Sequence, residues 1–138
     1  MKTVLFACVH NAGRSQMAAA IFNKLADPIV ARAISAGTEP GERVHAEVVA
    51  VMREAGIDLG NVRPQKLTED LAASADILVT MGCGEACPVV PGVERADWPL
   101  DDPKGQTVPR VRAIRDEVER RVRRLLAEHS LRPREAPT

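Results

Sequence analysis

The chain has 138 residues, 45% of them hydrophobic and 28% charged, which predicts one soluble globular domain with a real core. Its formal net charge of zero excludes a nucleic-acid binder that works by phosphate neutralisation, and gives no attraction to an anionic membrane surface. No segment reaches the roughly 18 apolar residues that span a bilayer, and the apolar run after Met1-Lys2 is too short for a secretory leader. The expected compartment is therefore the cytoplasm. There, an odd count of three cysteines points to catalysis, redox chemistry or metal binding rather than to a structural staple.

Lys2–Ala7 predicts a buried strand of the parallel type. It runs into the loop Cys8-Val-His-Asn-Ala-Gly-Arg-Ser15. Ser15–Ala26 predicts a helix with Met17, Ala18, Ile21, Phe22 and Leu25 in one apolar stripe, stopped by Asp27-Pro28. Ile29–Ser35 predicts a second strand. Glu42–Ala55 predicts a helix burying Val44, Val48, Val51 and Met52, closed by Gly56. Thr68 is an N-cap for a short helix through Ala73. Asp76–Met81 predicts a third strand, and Gly82–Pro91 a loop or short helix that carries Cys83 and Cys87. Glu94–Trp98 predicts a fourth strand, followed by a turn at Asp101-Asp-Pro-Lys-Gly105. Val108–Glu128 is the longest helix, with apolar residues at steps of three and four. Residues 1–128 thus form the domain, and 129–138 a flexible tail with Pro133 and Pro137.

Alternating strands and helices predict a doubly wound α/β fold: a four-stranded parallel sheet flanked by helices in three layers. Ligands of such folds bind beyond the carboxyl ends of the strands, where Cys8–Ser15 lies. A loop entering a helix N-terminus turns backbone N–H groups into one concave space, which suits an anion. Gly13 and Asn11 tolerate unusual backbone angles there. Arg14 can fork two donors onto a tetrahedral oxyanion. Cys8 sits at the floor, where the same positive potential favours its thiolate, and Ser15 can donate a hydrogen bond to it. A lone cysteine after a strand is commonly a small buried hydrophobe; the Cys8-x5-Arg14-Ser15 combination is much more specific.

Cys8-x5-Arg14-Ser15 after an N-terminal strand resembles the low-molecular-weight protein tyrosine phosphatase fold. Cys8-Val-His-Asn-Ala-Gly-Arg-Ser-Gln-Met-Ala18 is more closely similar to the arsenate reductases built on that fold. The likeness continues through Ser35-Ala-Gly-Thr38, Thr80-Met-Gly-Cys83, Cys87-Pro88, Asp97-Trp98, Asp101-Asp-Pro103 and Arg112-x2-Arg115-Asp-Glu117. The resemblance implies that Cys8 is the nucleophile and Arg14 the oxyanion clamp, with Val9, His10, Asn11, Ala12, Gly13 and Ser15 completing the substrate cradle. It implies that Asp102 is the general acid, with Asp101 the turn-capping alternative. It also implies a thiol relay in which Cys83 attacks Cys8 and Cys87 then attacks Cys83. Arsenate is the implied substrate, with phosphate or sulfate as competitors. No bound cofactor or metal is expected in a monomeric enzyme.

The external reductant stays open. Only Gly84-Glu-Ala86 separates Cys83 from Cys87, closer than in thioredoxin-coupled relatives. That compact form also resembles relatives that use a low-molecular-weight thiol such as mycothiol with a mycoredoxin or other glutaredoxin-like protein. Ala19 replaces a glutamate that helps some relatives hold potassium, so that ion is not carried over. A tyrosine phosphatase is the enzymatic alternative, but the chain has no tyrosine to wall an aryl phosphate pocket. The non-enzymatic alternative is a soft metal such as zinc on Cys83, Cys87 and His10 or Cys8. It lacks the usual C-x2-C spacing and a second pair. His45 and His129 read as surface groups, Trp98 as packing that orders the Asp102 turn, and the arginines of the last helix as a solvated face with Glu partners.

Overall fold

The computed structural model describes residues 1–133. Strands β1 (Lys2–Cys8), β2 (Ala31–Gly37), β3 (Ile77–Thr80) and β4 (Glu94–Asp97) form one parallel sheet in the order β2-β1-β3-β4. Helices α1 (Arg14–Leu25), α2 (Ala46–Glu54), α3 (Glu69–Ala73) and α4 (Val108–Glu128) flank it, with a single 3-10 turn at Gly84–Ala86. This is the doubly wound α/β architecture expected. β1 and β3 lie in the middle and are buried along nearly their whole length. β4 is an edge strand, and its Glu94, Arg95 and Asp97 are charges of the kind that blunt sheet-to-sheet pairing.

Because strand side chains alternate, β1 feeds two cores. Val4, Phe6 and Cys8 face α1, α2 and α4, packing on Met17, Phe22, Val48, Met52, Val111 and Val118. Leu5 and Ala7 face the other way, toward Leu67 and Ala72 of the α3 region and toward Cys83 and Cys87. The aromatic residues meet on the first face: the Phe6 ring centroid is 6.0 Å from Phe22 and 5.5 Å from Trp98. Trp98 is therefore core, and its backbone N–H continues the ladder to Thr80 O at 2.8 Å.

Three expectations are corrected. Ile29 and Val30 precede β2 instead of opening it. Asp27 O accepts from the Val30 and Ala31 amides and its Oδ1 from the Ile29 amide, which makes a turn and leaves Ile29 82% exposed. α2 begins at Ala46, not Glu42, and the Gly41 and His45 amides ahead of it bond carbonyls of the loop described below. The tail does not fray at His129. Leu131 is buried, its amide bonds Leu126 O at 2.8 Å, and its carbonyl takes the Asp27 amide at 3.0 Å. His129 Nε2 also lies 2.7 Å from Glu94 Oε2. The remaining tail residues, 134–138, lie outside the described residues.

α2 is tied to α4 by Glu54, which accepts from Arg112 in a two-oxygen fork and from Arg115 at 3.1 Å. The Arg112 hydrogen bonds come first in holding the Glu54 carboxyl down to about 2, with Arg115 adding to them. A depressed carboxyl stabilises the fold above its ordinary value near 4.5 and loses that contribution as pH falls toward about 2. The pair is exposed, so salt screens it. Glu54→Gln is expected to lower the urea midpoint at pH 7 in low salt. The difference from wild type should vanish between about pH 4.5 and about pH 2. A difference that persists at the acid end would assign the effect to packing.

Candidate active site

β1 ends at Cys8, and α1 begins at Arg14 with no side-chain cap and no acidic residue in its first turn. Its first amides thus have no capping side chain to bond. The loop between is held from outside. The segment after β2 runs alongside and donates Thr38 N to Cys8 O (3.1 Å), Glu39 N to Val9 O (2.8 Å), Gly41 N to His10 O (2.9 Å) and His45 N to Ala12 O (2.9 Å). With those carbonyls occupied, the loop presents amides to its concave side. Among the described residues, the amides of Ala12, Gly13, Arg14 and Ser15 have no protein acceptor.

Asn11 is the pivot. It is fully buried with φ 50°, in the left-handed region that Asn tolerates better than most residues. Its Oδ1 accepts from Gln16 Nε2 (3.1 Å) and from the Gln65 amide (3.0 Å), which orients the side-chain amide. Its Nδ2 then donates to Ser15 Oγ at 2.7 Å. Ser15 Oγ in turn lies 2.8 Å from Cys8 Sγ, a hydrogen bond that either group can donate. The Asn11 amide donates to the sulfur at 3.3 Å. Cys8 is a free cysteine, 2% exposed, with the Ser15 hydroxyl and the Asn11 amide against its sulfur.

Arg14 is nearly buried. Its Nη1 donates to Leu100 O at 3.1 Å, and its Nη2 lies 3.8 Å from Asp102 Oδ2. Asp102 Oδ1 caps its own turn by accepting from the Lys104 amide at 3.0 Å. Asp101 points away and pairs with Arg110 on α4. The Asp102-Pro103 turn rests directly on the anion loop: a Cβ at Gly13 would stand 2.6 Å from Pro103 Cγ, so only glycine lets the two loops meet. Cys8, Arg14, Asp102 and Ser15 are thereby brought to one mouth beyond the sheet.

The second pair of cysteines sits elsewhere. Cys83 and Cys87 are joined in a disulfide, Cα to Cα 5.5 Å, across the 3-10 turn. Both are buried, and Cys83 Sγ lies 3.8 Å from Ala7 O on the α3 side of the sheet, opposite the face that Cys8 packs on. No cluster of three or more potential metal ligands occurs among the described residues.

Sequence reasoning missed three contributors. Gln16 and Gln65 carried no signal beyond their polarity. His45, read as a surface group, is half-buried at the rim, in the segment that bonds the loop. Burial pushes its imidazole below the ordinary value, while the charge of Asp102 pulls the other way. The Asn11 network could have been found only through the need for a positive φ between Cys8 and Gly13.

Residues 3–134 match the low molecular weight phosphotyrosine protein phosphatase family. The chain belongs to that family. Among family members, a putative arsenate reductase of Halobacterium salinarum is 43% identical over 85% of each chain. A glutaredoxin arsenate reductase of Synechocystis is 35% identical over 94% of this chain and 100% of its own length. A thioredoxin-dependent arsenate reductase of Corynebacterium glutamicum superposes with a TM-score of 0.82 at 35% identity, over 94% of this chain and 62% of that one. An arginine phosphatase of Geobacillus stearothermophilus superposes at 0.80 with 25% identity, over 94% of each chain. The fold hosts both chemistries, so activity must be argued from the site.

Ser15→Ala tests the hydrogen-bond chain. In the disulfide form, where Cys8 is the free thiol, its alkylation by iodoacetamide at pH 7 is expected to slow about tenfold, the weight of one hydrogen bond to a charged acceptor. An unchanged rate would mean that the Ser15 proton does not serve the sulfur.

Proposed function

We propose that this chain is an arsenate reductase that uses three cysteines. The observation that carries this reading is the pairing of an oxyanion cradle around free Cys8 with a second, disulfide-forming pair at Cys83 and Cys87. A phosphatase needs only the cradle and water. A reductase needs thiols that can accept the oxidising equivalent, and this chain has them.

Arsenate enters the loop Val9–Ser15, held by its amides and by Arg14. The Cys8 thiolate attacks arsenic; an S–As bond forms and an As–O bond breaks. Asp102, at the mouth beside Arg14, gives its proton to the departing oxygen, which leaves as water. Cys83 as thiolate attacks Cys8 Sγ. The S–S bond forms, the S–As electron pair stays on arsenic, and arsenic leaves reduced as arsenite. Cys87 then displaces Cys8 from Cys83, which regenerates the Cys8 thiolate. The observed pairing, Cys8 free and Cys83 joined to Cys87, matches the end of this sequence. An external dithiol reductant returns two electrons. Thioredoxin is the reading favoured, supported by the Corynebacterium structure; a glutaredoxin-type partner, supported by the Synechocystis relative, is one alternative, and a small thiol such as mycothiol another. The absence of tyrosine from the whole sequence weighs against an aryl phosphatase.

Arsenite release is measured with thioredoxin, its reductase and NADPH, or with a small thiol and a glutaredoxin-like protein, beside a p-nitrophenyl phosphate assay. Cys8→Ser is expected to abolish arsenite release under both regimes while leaving the circular dichroism spectrum unchanged. Cys87→Ser is expected to stop after one turnover with thioredoxin. Full turnover by Cys87→Ser would assign the resolving step to an external thiol, and hydrolysis of the ester alone would make the chain a phosphatase.

A further inference from the structure

The guanidinium of Arg14 lies across Gly82. A Cβ built at Gly82 would stand 2.3 Å from Arg14 Nη1, 3.1 Å from Cζ and 3.5 Å from Nη2. The atoms met are the far end of a long side chain, so a Cβ there would push the guanidinium aside and take it from its bond to Leu100 O. Gly82 also has φ 99°, which few other residues adopt. The position is singular in the chain's path. The Met81 amide is the last tie of this segment to β1, bonded to Ala7 O at 2.7 Å, and Cys83 follows directly. Gly82 is thus the first residue free of the sheet, the root of the redox turn and the seat of the anion clamp.

We propose that Gly82 is a positioning residue for Arg14, and that it makes the clamp's placement depend on the state of the Cys83–Cys87 turn. Cys83 packs on the face of Ala7 and Cys8 on the opposite face. For Cys83 Sγ to reach Cys8 Sγ the chain must turn about Gly82, and that turn moves the surface on which the guanidinium rests. The resolving attack therefore unseats Arg14 as arsenite leaves. By linkage, anion affinity and the redox state of the pair influence each other. This rests on the reading of Arg14 as an oxyanion clamp.

The test measures inorganic phosphate binding by calorimetry, first on wild-type protein with the Cys83–Cys87 disulfide closed and then with it reduced. The two forms are expected to differ at least threefold in affinity; equal affinities overturn the coupling. In the disulfide form, Gly82→Ala is expected to weaken binding at least tenfold in the wild-type background but less than twofold in Arg14→Lys, which lacks the flat head that would collide. Equal losses in both backgrounds, or none in either, overturn the positioning role. Should Gly82→Ala not fold, the wild-type redox comparison still decides the coupling. If wild type binds no phosphate in either form, the oxyanion-site reading itself fails, an outcome distinct from these.

Discussion

A loop that binds an anion with its amides must send its carbonyls elsewhere. Each peptide carries both dipole ends, and a carbonyl turned toward the anion would cancel what its neighbour's N–H provides. Here the segment from Thr38 to His45 takes up the carbonyls of Cys8, Val9, His10 and Ala12 in turn. Asn11 reverses the backbone at φ 50°, so that its own amide faces the sulfur. The rest of the site depends on this arrangement. The His45 amide, just ahead of α2, is one of these donors, and it brings His45 to the rim of the loop.

The sheet imposes the second constraint. A strand's period of two sends Cys8 toward α1 and Ala7 toward α3. A nucleophile at the end of a central strand therefore has one face for its anion and another for whatever packs beneath its neighbour. The redox pair occupies the second face. Gly82, just past the end of β3, joins the sheet to the turn that carries the pair. The Arg14 guanidinium lies against that same glycine, which brings the loop after β1 and the turn after β3 together.

The turn that carries Asp102 is assembled from distant parts. Asp101 is drawn to Arg110 on α4, which turns its neighbour Asp102 toward Arg14, and Pro103 closes onto Gly13. Adjacent identical residues thus face different partners, and the choice between them is made by α4 and the anion loop rather than by the turn itself.

Period and punctuation were enough to read β1, β3 and β4, α1, α3, the extent of α4, and the class of fold. These features are local: burial of one stripe or one face writes itself into neighbouring residues, and Thr68 and Thr107 accept from amides three positions on. The loop Cys8–Ser15 was legible as a unit because Cys8, Asn11, Arg14 and Ser15 fall within eight consecutive residues. What the tertiary structure alone decided has large sequence separation: Gln65 on Asn11, Leu100 and Gly82 around Arg14, Leu131 on Asp27, and the face on which Cys83 and Cys87 lie. A hydrogen bond or close approach between residues so far apart leaves no periodic trace in either partner's neighbours. Only the chain's return through the sheet brings them together.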